Sequence, residues 1–367
     1  MFNQSSLRVL VVDDSSLMRR HICDTLSEHG MTIEVAKDGQ DCLEKIPQFR
    51  PDVITLDINM PVMDGFECLK KIMSNSPLPV LIVSSLSQEG ASETLKALEL
   101  GAVDYVAKPH GPVSLSLKRS KYMLVEKVKA ASKARVNRKT THIRPLSVDT
   151  PRGLLHKAET PQNEVLPQRI RDYRASVTQN CELIIIGVST GGPASLQEII
   201  PQLPANFPIP IVIAQHMPAR FTQVFAQRLD KLSNVTVQEL SNRVELQAGK
   251  VYIAQGDANV EVYSQGGKLC AKPNTDVSPY IWKPSITHLV ESALSSLSAR
   301  KICCVQLTGM GDDGAKAMAK AHSLGAITIA ESEQTSVVYG MPKELVKLNG
   351  ASKVLPNYDI SKALMSL

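Results

Sequence analysis

Three carboxylates, a hydroxyl and an ammonium stand at the ends of short apolar runs in the first third of the chain. The pair Asp13-Asp14 ends Leu7-Arg-Val-Leu-Val-Val12, and Asp57 ends Pro51-Asp-Val-Ile-Thr-Leu-Asp57. Ser84 closes Val80-Leu-Ile-Val-Ser84, and Lys108 closes Asp104-Tyr-Val-Ala-Lys108, just before Pro109. Such a set suits phosphoryl transfer to a carboxylate. Asp13, Asp14 and Asp57, with the backbone carbonyl of Asn59, offer hard oxygen ligands to Mg²⁺. The Ser84 hydroxyl and the Lys108 ammonium can each take a phosphoryl oxygen. Any one of these residues alone is an ordinary polar strand cap; five at successive strand ends are not.

A second group of reactive residue types lies beyond residue 180. Leu183-Ile-Ile-Ile-Gly-Val-Ser-Thr-Gly-Gly192 reads as an apolar strand, a Gly-x-Ser-x-Gly turn and a helix start near Pro193. That geometry can expose Ser189 above helix N–H groups, although a glycine-rich turn can also merely pack or cradle a phosphate. A serine nucleophile needs a base and an acid to orient it. Of the eight histidines, His216 follows the apolar run Ile209–Gln215 and so also sits at a strand end. His142 and His156 fall in a polar stretch that would fix a base poorly. Gln306-Leu-Thr-Gly-Met-Gly-Asp-Asp-Gly314 offers Asp312 or Asp313 as the acid, with glycines that permit close backbone approach. The order Ser, His, Asp differs from that of the α/β-hydrolases, which points to a convergent triad on another fold.

These residues need two scaffolds. In residues 7–130, strand patterns alternate with helical periodicity: Leu7–Val12, Thr32–Ala36, Val53–Leu56, Val80–Ser84 and Tyr105–Ala107 as strands, with helices between and a last helix from Leu117. Such alternation predicts a doubly wound α/β sheet whose strand ends converge on one edge. A second α/β pattern runs from 180 to 367 and predicts a mostly parallel sheet. A Ser264-Gln-Gly-Gly267 turn within it suggests an inserted β-hairpin. Between them, residues 131–179 are polar, basic and interrupted by proline, as a linker would be.

Composition narrows the options. The chain has 367 residues, 43% hydrophobic and 21% charged, which fits two globular domains rather than disorder. A net charge of +5 is too mild to indicate nucleic acid by itself. The seven cysteines include no Cys-x-x-Cys, so reduced thiols and a cytoplasmic setting are expected rather than a disulfide framework or zinc site. No basic, apolar leader is visible at the start, and no apolar run approaches the ~20 residues of a membrane span.

Val11-Val-Asp-Asp-Ser15, Leu56-Asp-Ile-Asn-Met-Pro-Val-Met-Asp-Gly65 and Lys108-Pro109 resemble the response-regulator receiver family over residues 7–130. The resemblance implies that Asp57 accepts a phosphoryl group from a histidine kinase, with Mg²⁺, and that the Tyr105 rotamer reports it. Ile186–Gly192, Ala214-Gln-His-Met-Pro218, Leu307–Gly314 and Val337-Val-Tyr-Gly-Met-Pro342 resemble the chemotaxis methylesterase domain. That resemblance implies Ser189 as nucleophile, His216 as base, Asp313 rather than Asp312 as orienting acid, and the Met310 backbone N–H as oxyanion donor. It further implies hydrolysis of glutamate methyl esters, and deamidation of glutamines, on methyl-accepting chemoreceptors, with no cofactor in the esterase. Two places depart from the pattern: Gln255, where proline is common, and Trp282-Lys283, where a His-Arg-like pair is common. Neither is expected to touch the triad, and both are expected to line the substrate cleft. Two rival readings join the receiver to a DNA-binding domain or to an inactive interaction module. Against them stand the lack of a dense basic face or compact helix-turn-helix, and the complete Ser, His, Asp set.

Overall fold

The computed structural model describes residues 6–85, 87–108, 114–134, 136, 181–276 and 280–367, with the side chains of 114–119 left out. Pro109 and residues 137–179 of the expected linker lie outside the described residues.

The first unit alternates β1 (Arg8–Val12), α1 (Ser16–Ser27), β2 (Thr32–Ala36), α2 (Gly39–Phe49), β3 (Val53–Asp57), α3 (Gly65–Asn75), β4 (Val80–Ser84), α4 (Gln88–Glu99), β5 (Asp104–Ala107) and α5 (Ser114–Ala131). Its five strands are parallel, in the order β2-β1-β3-β4-β5. β3 and β4 are buried throughout, as expected where helices cover both faces and the strand reads as an unbroken apolar run. Side chains fix where helices begin: Asp38 and Asp64 cap the N-termini of α2 and α3 by accepting from the N–H of Asp41 and Glu67.

The second unit is larger. β6 (Leu183–Val188) leads to α6 (Gly192–Ile199), and β7 (Ile211–Gln215) to α7 (Ala219–Leu232). Then come β8 (Thr236–Leu240), β9 (Val244–Glu245), β10 (Lys250–Ala254), β11 (Asn259–Gln265), β12 (Lys268–Asn274) and α8 (Ile286–Ser296). The chain ends with β13 (Ile302–Gln306), α9 (Ala315–Ser323), β14 (Ile327–Glu331), α10 (Met341–Lys347), β15 (Lys353–Leu355) and α11 (Asn357–Leu364). Seven strands form one parallel sheet in the order β15-β14-β13-β6-β7-β10-β8. One apolar core lies on each face of it. The expected hairpin exists, but it is not inserted into this sheet. β11 and β12 pair with each other, and β12 recruits the two-residue β9, giving a separate three-stranded antiparallel sheet. That small sheet is anchored on α8, where Ser292 Oγ accepts from the Val262 N–H at 3.0 Å and Ser296 Oγ donates to the Val262 carbonyl at 3.0 Å.

The two units pack together through β5 and α4 of the first and α6 and α7 of the second. Tyr105 stacks on Phe221 with ring centroids 4.6 Å apart and planes 1° from parallel. Thr190 Oγ1 donates to Asp104 Oδ2 at 2.6 Å, and Arg228 pairs with Glu99. No described helix is long and apolar enough to cross a membrane.

Candidate active site and phosphoacceptor site

Ser189, His216 and Asp313 follow the C-terminal ends of β6, β7 and β13, three neighbouring strands of the parallel sheet. Ser189 sits in a turn whose shape its glycines permit. Gly191 has φ 78°, a left-handed conformation that lets the chain leave β6 and enter α6 within four residues. The turn is tied down by the Ser189 N–H donating to the Thr308 carbonyl at 3.0 Å and the Gly192 N–H donating to the Ser189 carbonyl at 2.8 Å. Gly309 approaches from the next loop so closely that a Cβ there would lie 2.7 Å from the Ser189 Cβ. The Ser189 hydroxyl makes no hydrogen bond among the described residues, and neither does the N–H of Met310, the residue after Gly309.

Asp313 is the most heavily bonded side chain in the cleft. Its Oδ2 accepts from His216 Nε2 at 2.9 Å and from the Ile286 N–H at 2.8 Å. Its Oδ1 accepts from Ser285 Oγ at 3.2 Å, the Thr287 N–H at 3.0 Å and Thr287 Oγ1 at 2.6 Å. Three of these five donors come from the first turn of α8, whose exposed N–H groups and dipole favour an anion. Burial opposes ionisation, yet His216, the Thr287 hydroxyl and the Ile286 N–H more than offset it and hold the carboxyl at about 2. Asp312 is exposed, and its backbone carbonyl accepts from the Ala315 N–H.

An ionised Asp313 can only accept, so His216 Nε2 is the donor of that bond and Nδ1 is the nitrogen that can accept in the neutral ring. Nδ1 is buried and has no hydrogen-bond partner among the described residues. The ring nitrogens thus exchange the roles they hold in the serine-protease triad, where Nδ1 faces the acid. One expectation fails here. Trp282 does touch the triad: its indole lies on the His216 imidazole, with centroids 4.6 Å apart and planes 4° from parallel. The loop before α8 has no periodicity from which that contact could be read.

In the first unit the carboxylates of Asp13, Asp14 and Asp57 each offer an oxygen within 4.8 Å of the others. Lys108 Nζ lies 2.8 Å from Asp57 Oδ2 and 3.1 Å from Asp13 Oδ2. Asp57 is buried, and burial pushes its carboxyl up despite Lys108, with the Asp13 charge adding to the rise. Asp57, Asn59, Ser84 and Lys108 line a cavity of about 180 Å³ with Asp14. Ser84 Oγ donates to the Gly90 carbonyl at 3.1 Å and can turn from it. The donor set is all hard oxygen around a small opening, which fits Mg²⁺. Tyr105 is buried, and its hydroxyl has no hydrogen-bond partner among the described residues.

Fold and site together define a receiver domain coupled to an α/β domain with a serine-hydrolase constellation. Residues 9–118 match the response regulator receiver domain, and residues 184–364 match the CheB methylesterase family. The chain is 47% identical over 350 residues to protein-glutamate methylesterase/protein-glutamine glutaminase 3 of Rhodospirillum rubrum, covering 95% of this chain and 93% of that protein. It is 44% identical to the Caldanaerobacter subterraneus protein of the same activity name, covering 99% and 96%. The crystallised CheB methylesterase catalytic domain of Thermotoga maritima is 41% identical, covers 51% of this chain and 98% of its own, and has a TM-score of 0.49. The chain belongs to the protein-glutamate methylesterase/protein-glutamine glutaminase family. The DNA-binding and inactive-module readings give way to that membership.

Proposed function

We propose that this protein hydrolyses glutamate methyl esters on the cytoplasmic helices of chemoreceptors, releasing methanol, and deamidates glutamines at the same site. Phosphorylation of its receiver by a histidine kinase controls it, in the cytoplasm. The observation that carries the reading is the His216–Asp313 pair: one ring nitrogen is held as donor by a carboxylate with four further donors, and the other is left with an unused lone pair.

Ser189 Oγ attacks the ester carbonyl carbon while His216 Nδ1 takes its proton. The oxygen that becomes negative is met by the Met310 N–H. The carbon–methoxy bond then breaks, and methanol leaves with the proton from Nδ1. Water, giving a proton to Nδ1, attacks the glutamyl-serine ester, and Ser189 departs reprotonated. With glutamine the leaving group is ammonia, a poorer one, so the proton from His216 matters more.

Asp57 is the phosphoacceptor. Asp13, Asp14, Asp57 and the Asn59 carbonyl would hold Mg²⁺, whose charge neutralises the incoming group. The Ser84 hydroxyl and Lys108 ammonium then bond the phosphoryl oxygens, drawing Ser84 from Gly90 and Lys108 from Asp13. Both residues adjoin the edge that carries Asp104 onto Thr190 in the loop of Ser189 and Tyr105 onto Phe221 of α7. The unphosphorylated receiver thereby restrains the esterase by occupying the approach to Ser189, and phosphorylation shifts the balance toward release.

The test is methanol release from methylated receptor by the intact chain. Ser189→Ala should lose about 10⁴- to 10⁶-fold in rate while Asp57 still takes up phosphate. A variant that keeps a tenth of the activity overturns the assignment.

A further inference from the structure

We infer that Trp282 is a positioning residue that fixes the plane of the His216 imidazole and stabilises its protonated form. The inference rests on His216 being the base.

Six consecutive residues, 282–287, grip the base and its acid together. Ser285, Ile286 and Thr287 hold Asp313, and Trp282 lies on His216. The bond from Nε2 to Asp313 fixes one point of the ring but leaves it free to tilt about that point. An indole against the ring face removes the tilt. A near-parallel pair at 4.6 Å is an offset stack, one of the two preferred aromatic geometries. Nδ1 is thereby held in a single plane. The stack also responds to charge. A neutral imidazole gains only contact from the indole, whereas an imidazolium faces the negative face of the most strongly cation-binding aromatic side chain. In the mechanism above His216 gains charge twice, between the attack of Ser189 and the departure of methanol and again between the attack of water and the departure of Ser189. Stabilisation confined to those intervals lowers the barriers and leaves substrate binding unchanged.

Trp282 is half-buried, and its outer side borders an open cavity of about 460 Å³ beside Asp312, Lys316 and Lys320. A role in gripping substrate is therefore the rival that the test must separate.

The experiment compares Trp282→Leu, Trp282→Phe and Trp282→Tyr in the phosphorylated full chain, with methylated receptor as substrate and methanol as readout. Leucine keeps bulk without a π face; phenylalanine and tyrosine keep the face. The Leu variant is expected to lose about 3- to 30-fold in kcat with KM unchanged, and the two aromatic variants to stay within about threefold of the parent. An unaltered melting temperature excludes a folding defect; should the Leu variant unfold, Trp282→Met takes its place as the bulky side chain without a π face. A raised KM with intact kcat, or equal loss in aromatic and aliphatic variants, overturns the inference. Ser189→Ala and His216→Ala run alongside distinguish the two levels: residual activity in either overturns the triad assignment on which the inference rests, whereas loss in both with normal kcat in the Leu variant overturns only the role of Trp282.

Discussion

Replacing Asp313 by asparagine is the sharpest perturbation of the active site, because the surrounding donors dictate how the amide must sit. Oδ1 receives two hydroxyls and an N–H, from Ser285 and Thr287, and the Thr287 hydroxyl is itself already an acceptor from the Gly314 N–H at 2.9 Å. The amide oxygen belongs there, since an NH₂ would meet three donors. The NH₂ then takes the place of Oδ2, facing the Ile286 N–H and His216 Nε2. Nε2 must now accept, so the ring proton moves to Nδ1, the nitrogen that should take the serine proton. The imidazolium also loses its counter-charge. Both losses fall on the transition state, and a fall of about 10⁴ in kcat is expected, as for the corresponding change in the serine-protease triad. Asp312→Asn, on an exposed side chain beyond this network, should stay within about twofold of the parent, the usual scale of surface substitutions. The assay is the initial rate of methanol release by phosphorylated full-length protein. Since Asp313 is held at about 2, the parent keeps this carboxylate ionised throughout the accessible pH range. A loss below tenfold at 313, or equal losses at 312 and 313, would refute the account.

Thr190→Val removes the hydroxyl that reaches Asp104 at 2.6 Å and leaves a buried carboxylate short of a donor in the docked state. A hydrogen bond to a charged group is worth about 1.5–3 kcal/mol, so docking should weaken about 10- to 100-fold and the unphosphorylated rate should rise; an unchanged basal rate would contradict it. Asp57→Asn should abolish the rise in rate on adding a phosphodonor while leaving the unphosphorylated rate as it was, and a response that survives would place the acceptor elsewhere. Glu331 is fully buried beneath the nucleophile loop, its Oε2 accepting from the Thr308 N–H at 2.8 Å, and burial raises its carboxyl from 4.5 to about 7. The folded state binds this proton more tightly, so its stabilising contribution is complete below pH about 4.5 and is lost as pH rises to about 7, by at most about 3 kcal/mol. Glu331→Gln should flatten that part of the profile of urea midpoint against pH; parallel profiles for parent and variant would count against it.

The alternation of strands and helices was legible because parallel strands buried on both faces are unbroken apolar runs, as Leu183–Val188 and Ile302–Gln306 are. The placement of the candidate site residues was legible for a related reason: a polar residue that ends such a run sits at the edge where ligands bind in parallel α/β sheets. Pairing across sheets was not. The turn at Ser264-Gln-Gly-Gly267 signals a hairpin but says nothing of which sheet its strands join, and a two-residue partner such as Val244–Glu245 leaves no pattern at all. β15, with its two exposed residues and one half-buried one, and α10, only seven residues long, carry too little periodicity to be seen. Asp104 looked like the ordinary start of a strand, and its contact with Thr190 joins residues 86 positions apart in sequence. Trp282 stood out only as an exception to a motif, in a stretch without periodicity.

β5 sets a constraint on length. Asp104, which touches the loop of Ser189, and Lys108, which touches Asp57, are four steps apart along extended chain, about 13 Å. Tyr105 lies between them and faces the other way. Substitutions in this stretch exchange one side chain for another, but a single inserted or deleted residue reverses every side chain beyond it. Tyr105 would turn away from Phe221 or Lys108 away from Asp57, and the two sites would lose their common ruler. The segment tolerates changes of composition at the half-buried Ala107 but not changes of length, whereas a surface turn such as Ser264–Lys268 can grow or shrink without consequence for the switch.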